Sequence, residues 1–89
     1  MERISITHST IVQKSDDEAI LVNLESGTCF GLDEIGTTIF ELISTQGTHE
    51  GILSALTEQY DASPEELARD LDDFISECLQ LGLVEVLKR

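Results

Sequence analysis

Basic residues are scarce in this chain of 89: five Lys and Arg stand against 18 Asp and Glu, a net charge of −13. Nucleic-acid affinity comes largely from Lys and Arg neutralising phosphates, so this balance argues against a DNA- or RNA-binding surface. It argues equally against an anionic membrane surface. A field of this sign attracts a basic partner, such as a Lys- or Arg-bearing peptide. Aromatic residues make up 4% and Trp is absent, so the core must be mostly Leu and Ile. At 40% hydrophobic residues, the chain is still too apolar for a disordered acidic tail. No run approaches the ~20 apolar residues of a membrane span. The start, MERISITHST, lacks the apolar segment of a secretory signal. The cytoplasm is therefore the expected location. Cys29 and Cys78 have no CxxC spacing and no His cluster beside them. Two buried thiols in a reducing compartment are expected, rather than a disulfide or a metal site. The length implies one domain, residues 1–89, with a small core and modest stability.

Catalytic patterns are missing as well. There is no GxSxG, no Gly-rich phosphate loop, no HExxH and no Cys/His pair at a useful spacing. His8 and His49 are isolated. Asp16-Asp17-Glu18 lacks the alternation and the glycine of an EF-hand loop and reads as a solvated turn. No Asp-Ser-Leu tripeptide is present to carry a phosphopantetheine arm, which argues against an acyl or peptidyl carrier. The expectation is a protein that is not an enzyme and uses no cofactor and no metal.

What is present is a set of short strands followed by helices. Thr10–Lys14, the β-branched run Ala19–Leu24 and Cys29–Leu32 read as three strands joined by turns at Ser15–Glu18 and Glu25–Thr28. Pairing Ile20, Val22 and Leu24 with Phe30 and Leu32 would give one inward face. From Asp33 the period changes: Ile35, Ile39, Leu42 and Ile43 form a helical stripe, with Asp33 as N-cap and Gly47 as stop. A second helix begins near Thr48 and carries Ile52, Leu53, Leu56 and Tyr60. The third begins at Ser63-Pro64-Glu65-Glu66, an N-cap Ser followed by Pro at the first helical position. Its apolar face is Leu67, Leu71, Phe74, Ile75, Cys78 and Leu79, and Gly82 ends it. Leu83–Leu87 is a short tail. The class is α+β: a three-stranded antiparallel sheet followed by three helices, winged helix-turn-helix-like.

Two features point to function. The strand Cys29–Leu32 would lie at a sheet edge, yet it carries no Lys, no Pro and no charge to protect it. Gly31 would let another backbone approach. Such an edge can accept an extended peptide as an added strand, unless the tail or the N-terminal Arg3–Ile6 covers it. On the third helix Glu66, Asp70, Asp73 and Glu77 fall at i, i+4, i+7 and i+11, an acidic stripe one residue behind the apolar row. It is either a solvated face or the rim of a groove for basic side chains. Arg69 is the only base on this helix, which argues against a DNA-recognition helix.

The run LVNLESGTCFGLDEIGTTIFELI, Leu21–Ile43, resembles the PqqD-like family. The matching positions are Leu21, Val22, Asn23, Gly27, Phe30, Gly31, Leu32, Asp33, Gly36, Ile39, Phe40 and Leu42. The later segment ending in Gly82-Leu83-Val84 is also similar, so the likeness runs from about Val12 to Val86. Asp33 replaces the usual Asn, Phe40 the usual Trp, and Cys29 a common aromatic. Members are precursor recognition elements for ribosomally made, modified peptides. The resemblance implies that a leader peptide adds to strand three and lies against helix three. The residues implied are Thr28, Cys29, Phe30, Gly31 and Leu32 on the strand, with Leu67, Asp70, Leu71, Phe74, Glu77 and Cys78 on the helix. The Tyr-Pro-Glu-like segment usual in pyrroloquinoline quinone biosynthesis is replaced by Val22-Asn23-Leu24. A free-standing element of this size is more similar to the lasso-peptide type, whose partners are the leader, a separate leader peptidase and a cyclase. A monomer or weak homodimer is expected.

Overall fold

Among the described residues, four short strands precede three helices, and a fifth strand follows them. The computed structural model describes residues 2–14 and 18–88. The elements are β1 (Glu2–Ile6), β2 (Thr10–Lys14), β3 (Ala19–Asn23), β4 (Cys29–Leu32), α1 (Glu34–Thr45), α2 (His49–Gln59), α3 (Pro64–Gln80) and β5 (Val84–Lys88). The acidic turn read at Ser15–Glu18 falls mostly outside the described residues.

Each helix starts where a local cap allows it. Asp33, Thr48 and Ser63 have extended backbones, and their side chains accept from the N–H groups of Gly36, Gly51 and Glu66 at 2.7, 3.1 and 3.2 Å. Pro64 opens α3 with its φ already suited to a helix. Gly47 and Gly82 follow α1 and α3 with φ of +75°, a conformation that costs glycine little.

The strands form two antiparallel sheets rather than one. β2, β3 and β4 make the expected meander in that order. Separately β1 pairs with β5, from Glu2 opposite Lys88 to Ile6 opposite Val84. The tail and the N-terminal segment, each a candidate cover for β4, thus pair with each other. The outer side of β1 is occupied as well, since the Ile4 N–H donates to the Gly47 carbonyl at 2.6 Å.

The core lies between the sheets and the helices. Leu21, Ile39, Ile52, Leu56, Leu67, Leu71, Cys78 and Leu83 are sealed from solvent. Each Leu or Ile buried here contributes ~1.5–3 kcal/mol. On α3 the buried positions are Leu67, Leu71, Ile75 and Cys78. Leu79, expected on this face, is 41% exposed, because it lies to one side of that row.

The inward face of β3 differs from the expectation. Leu21 lies opposite Phe30 and Ala19 opposite Leu32, whereas Ile20 and Val22 lie opposite Gly31 and Cys29. Residues opposite one another share a face, so burying Leu32 brings in Ala19 and Leu21 and turns Ile20 outward. Leu24 lies beyond the strand in the turn and is 64% exposed. Asn23 takes the last inward place and is buried, with its polar atoms satisfied. Its Nδ2 donates to the Gly82 carbonyl at 2.8 Å, and its Oδ1 accepts from the N–H groups of Glu25 and Ser26.

Candidate functional site

Among the described residues, β4 has a strand neighbour on one side only. The Asn23 N–H donates to the Thr28 carbonyl at 2.9 Å, which makes Asn23 and Thr28 a hydrogen-bonded pair. Such pairs alternate along an antiparallel ladder, so Phe30 and Leu32 direct their main-chain groups to β3. Cys29 and Gly31 direct theirs the other way, to an edge that no strand of the three-stranded sheet covers. Both residues are exposed, and a Cβ placed on Gly31 would meet nothing within 4 Å.

Beside this edge is a cleft of about 320 Å³ between β4, the start of α1 and α3. Its apolar lining is Phe30, Leu32, Ile39 and Phe74. The rings of Phe30 and Phe74 meet edge to face with centroids 6.1 Å apart, a favoured aromatic arrangement. Gly36 stands against this wall: a Cβ there would lie 3.1 Å from the capping Asp33 Oδ1 and in ordinary contact, 3.4 Å, with the Phe74 ring and the Leu32 side chain. Asp33, Asp70, Asp73 and Glu77 stand around the opening, and among the described residues none of the lining is basic.

The residues nominated from sequence divide three ways. Phe30, Gly31, Leu32, Asp70, Phe74 and Glu77 line the cleft together. Cys29 supplies edge main chain, but its side chain lies on the outer face with Val22. The thiol is exposed and free, contrary to the expectation that both cysteines are buried. Thr28 is half-buried at the strand entrance, where its hydroxyl shares a hydrogen bond with Ser26 at 2.9 Å. Leu67, Leu71 and Cys78 are 1%, 0% and 0% exposed and present no surface to a ligand. They are core because they occupy the α3 row turned to the packed side, where the helix meets α2 and β5, rather than the adjacent row at Phe74 that meets β4. Burial, with the neighbouring Glu77 carboxylate second, pushes the Cys78 thiol up to about 12.

Sequence reading did not nominate Asp33, Gly36, Ile39 and Asp73, all of which line the cleft. One signal could have found the first three: a single residue separates Leu32 from α1, so the first turns of that helix must stand beside β4. Asp73 belongs to the acidic stripe already noted. Glu66, the first member of that stripe, is exposed and does not line the cleft.

An α+β domain with an open strand edge beside an aromatic, acid-rimmed cleft defines the class as one able to accept an extended chain. The family model for coenzyme PQQ synthesis protein D (PqqD) matches residues 18–84, and the chain belongs to this family. No curated protein matches. Among solved structures, the chain is similar to TbiB1 in complex with the TbiA(beta) leader peptide. That match has 32% identity and a TM-score of 0.84, over 91% of this chain and 94% of that one. A lasso peptide synthetase B1 complexed with the leader peptide shares the fold, with a TM-score of 0.83 over 93% of this chain and 98% of that one, at 16% identity.

Proposed function

We propose that this protein binds the leader region of a ribosomally synthesised precursor as a strand added to β4, within lasso peptide biosynthesis. The observation that carries the reading is the open edge at Cys29 and Gly31 beside the Phe30–Phe74 cleft. The likeness to TbiB1, a structure holding a leader peptide, supports it. Main-chain hydrogen bonds give such a complex its pairing, and pockets for alternate side chains give it selectivity.

The protein performs no chemistry in this account. It holds the precursor and raises its effective concentration at separate processing enzymes, a leader peptidase and a cyclase. It acts in the cytoplasm as a monomer or weak homodimer. Among the described residues no helix is long and apolar enough to cross a membrane. A second reading keeps the same site but assigns it to another modified-peptide pathway, such as that of the quinone cofactor in the family's description.

Fluorescence anisotropy with labelled synthetic leaders, lasso-type and quinone-type, tests both readings, with a DNA duplex as control. Saturable binding of a lasso-type leader and none of DNA is expected. Binding only of a quinone-type leader favours the second reading. Binding of DNA alone overturns both.

A further inference from the structure

We infer that the peptide taken up on β4 carries an inward–outward–inward pattern, in which one inward side chain is apolar, the other is Lys or Arg, and the residue between them is large and apolar. This rests on the strand-addition reading and gives it a ligand chemistry.

The pattern follows from the ladder. An added strand would bond to the main chain of Cys29 and Gly31, the outward-directed residues of β4. Its side chains opposite Phe30 and Leu32 then fall on the cleft side, two residues apart. The cleft offers them two environments. Its floor is apolar, with the Phe30 and Phe74 rings and Ile39. Its rim holds Asp70, Asp73 and Glu77 on α3 and, among the described residues, no base. One inward side chain covers the floor. The other lays an aliphatic stem across it and brings a cationic head to the carboxylates.

The intervening residue lies opposite Gly31 on the outer face. A side chain at Gly31 would meet nothing there, and Ile20, the cross-strand partner of Gly31, is 43% exposed. A large apolar side chain crosses the bare glycine and covers Ile20, as aromatic residues do beside glycine in other sheets.

Charge also selects this occupant over a second copy of the chain. Pairing β4 with β4 would bring two such acidic rims together, on molecules of net charge −13 each. The carboxylates thereby protect an edge that lacks Lys and Pro of its own, and they do not oppose a basic strand.

The test is selection of displayed random peptides on three proteins: wild type, Gly31→Pro, and a neutralised Asp70→Asn/Asp73→Asn/Glu77→Gln variant. Expected wild-type binders carry Lys or Arg two residues from an apolar side chain, with a large apolar residue between. They fail on Gly31→Pro and bind the neutralised variant about fivefold more weakly or worse at low salt. Binders that need Gly31 but show no basic enrichment and ignore neutralisation overturn this inference and leave leader binding standing. No binders, or binders indifferent to Gly31→Pro, overturn both. If Gly31→Pro does not fold, protection of the Cys29 and Gly31 amides by the selected peptides in the wild-type protein decides the same question.

Discussion

Phe30 on β4 and Phe74 on α3 meet edge to face, their ring centroids 6.1 Å apart and their planes inclined at 65°. This contact ties the edge strand to the helix and forms the floor of the cleft between them. Both rings are half-buried, so their free surface is available to a ligand. Phe74→Ala should lower stability by about 2 kcal/mol in urea titration, below the 3–5 of a fully buried Phe. Leader affinity should fall more than about tenfold, as for an aromatic anchor. Unchanged affinity would remove the cleft from the binding site.

The alternation of the β4 ladder separates binding from folding. The Gly31 N–H faces the open edge and the Phe30 N–H faces β3. Gly31→Pro should abolish leader binding with a near-native circular dichroism spectrum, because proline removes a donor the fold does not use. Phe30→Pro breaks a ladder bond and leaves its β3 acceptor unpaired, which should cost about 1–3 kcal/mol. Greater destabilisation by Gly31→Pro than by Phe30→Pro would show that the ladder has the opposite phase.

Leu71 and Leu79 lie on one helix, yet Leu71 is fully buried and Leu79 is 41% exposed. Leu71→Ala should therefore cost about 2–5 kcal/mol by chemical denaturation, and Leu79→Ala under about 1. Comparable losses would place Leu79 in the core after all.

Much of this was legible in the sequence because it is local. Caps at Asp33, Thr48 and Ser63 need only residues within one turn, so all three helix starts could be read. The face of β3 could not. Alternation points the more apolar side of a strand inward, and Ile20, Val22 and Leu24 are more apolar than Ala19, Leu21 and Asn23, so here it indicates the wrong side. The parity comes from pairing with Phe30 and Leu32. Asn23 is tolerated inside because its amide reaches Gly82, 59 residues away. The β1–β5 sheet is non-local in the same way, joining Glu2 to Lys88. At the site the acidic stripe of α3 was legible. The resemblance implies contacts from Leu67, Leu71 and Cys78 as well, but they belong to the neighbouring buried row, one residue and about 100° of rotation from the stripe.

The two thiols should behave as opposites. Exposed Cys29 should react with a maleimide at neutral pH in the folded protein, and buried Cys78 only on unfolding. Cys78 also sets an alkaline dependence. Its pKa rises from 9.0 to about 12 on folding, so between those values the unfolded chain holds fewer protons than the native one. The stability from its protonated form is whole below about pH 9 and is lost as pH rises toward 12. The slope from this group is at most about 1.4 kcal/mol per pH unit. Urea titrations across this range should show a steeper decline for the wild type than for Cys78→Ala; parallel curves would exclude Cys78 as the cause.

Hydrogen exchange at β4 tests the central claim most directly. In the free protein the Phe30 and Leu32 amides should exchange slowly and those of Cys29 and Gly31 quickly. On saturation with a bound leader, Cys29 and Gly31 should become protected while Phe30 and Leu32 stay as they were. Slow exchange of Cys29 and Gly31 before any peptide is added, or unchanged fast exchange after it binds, would contradict strand addition at this edge.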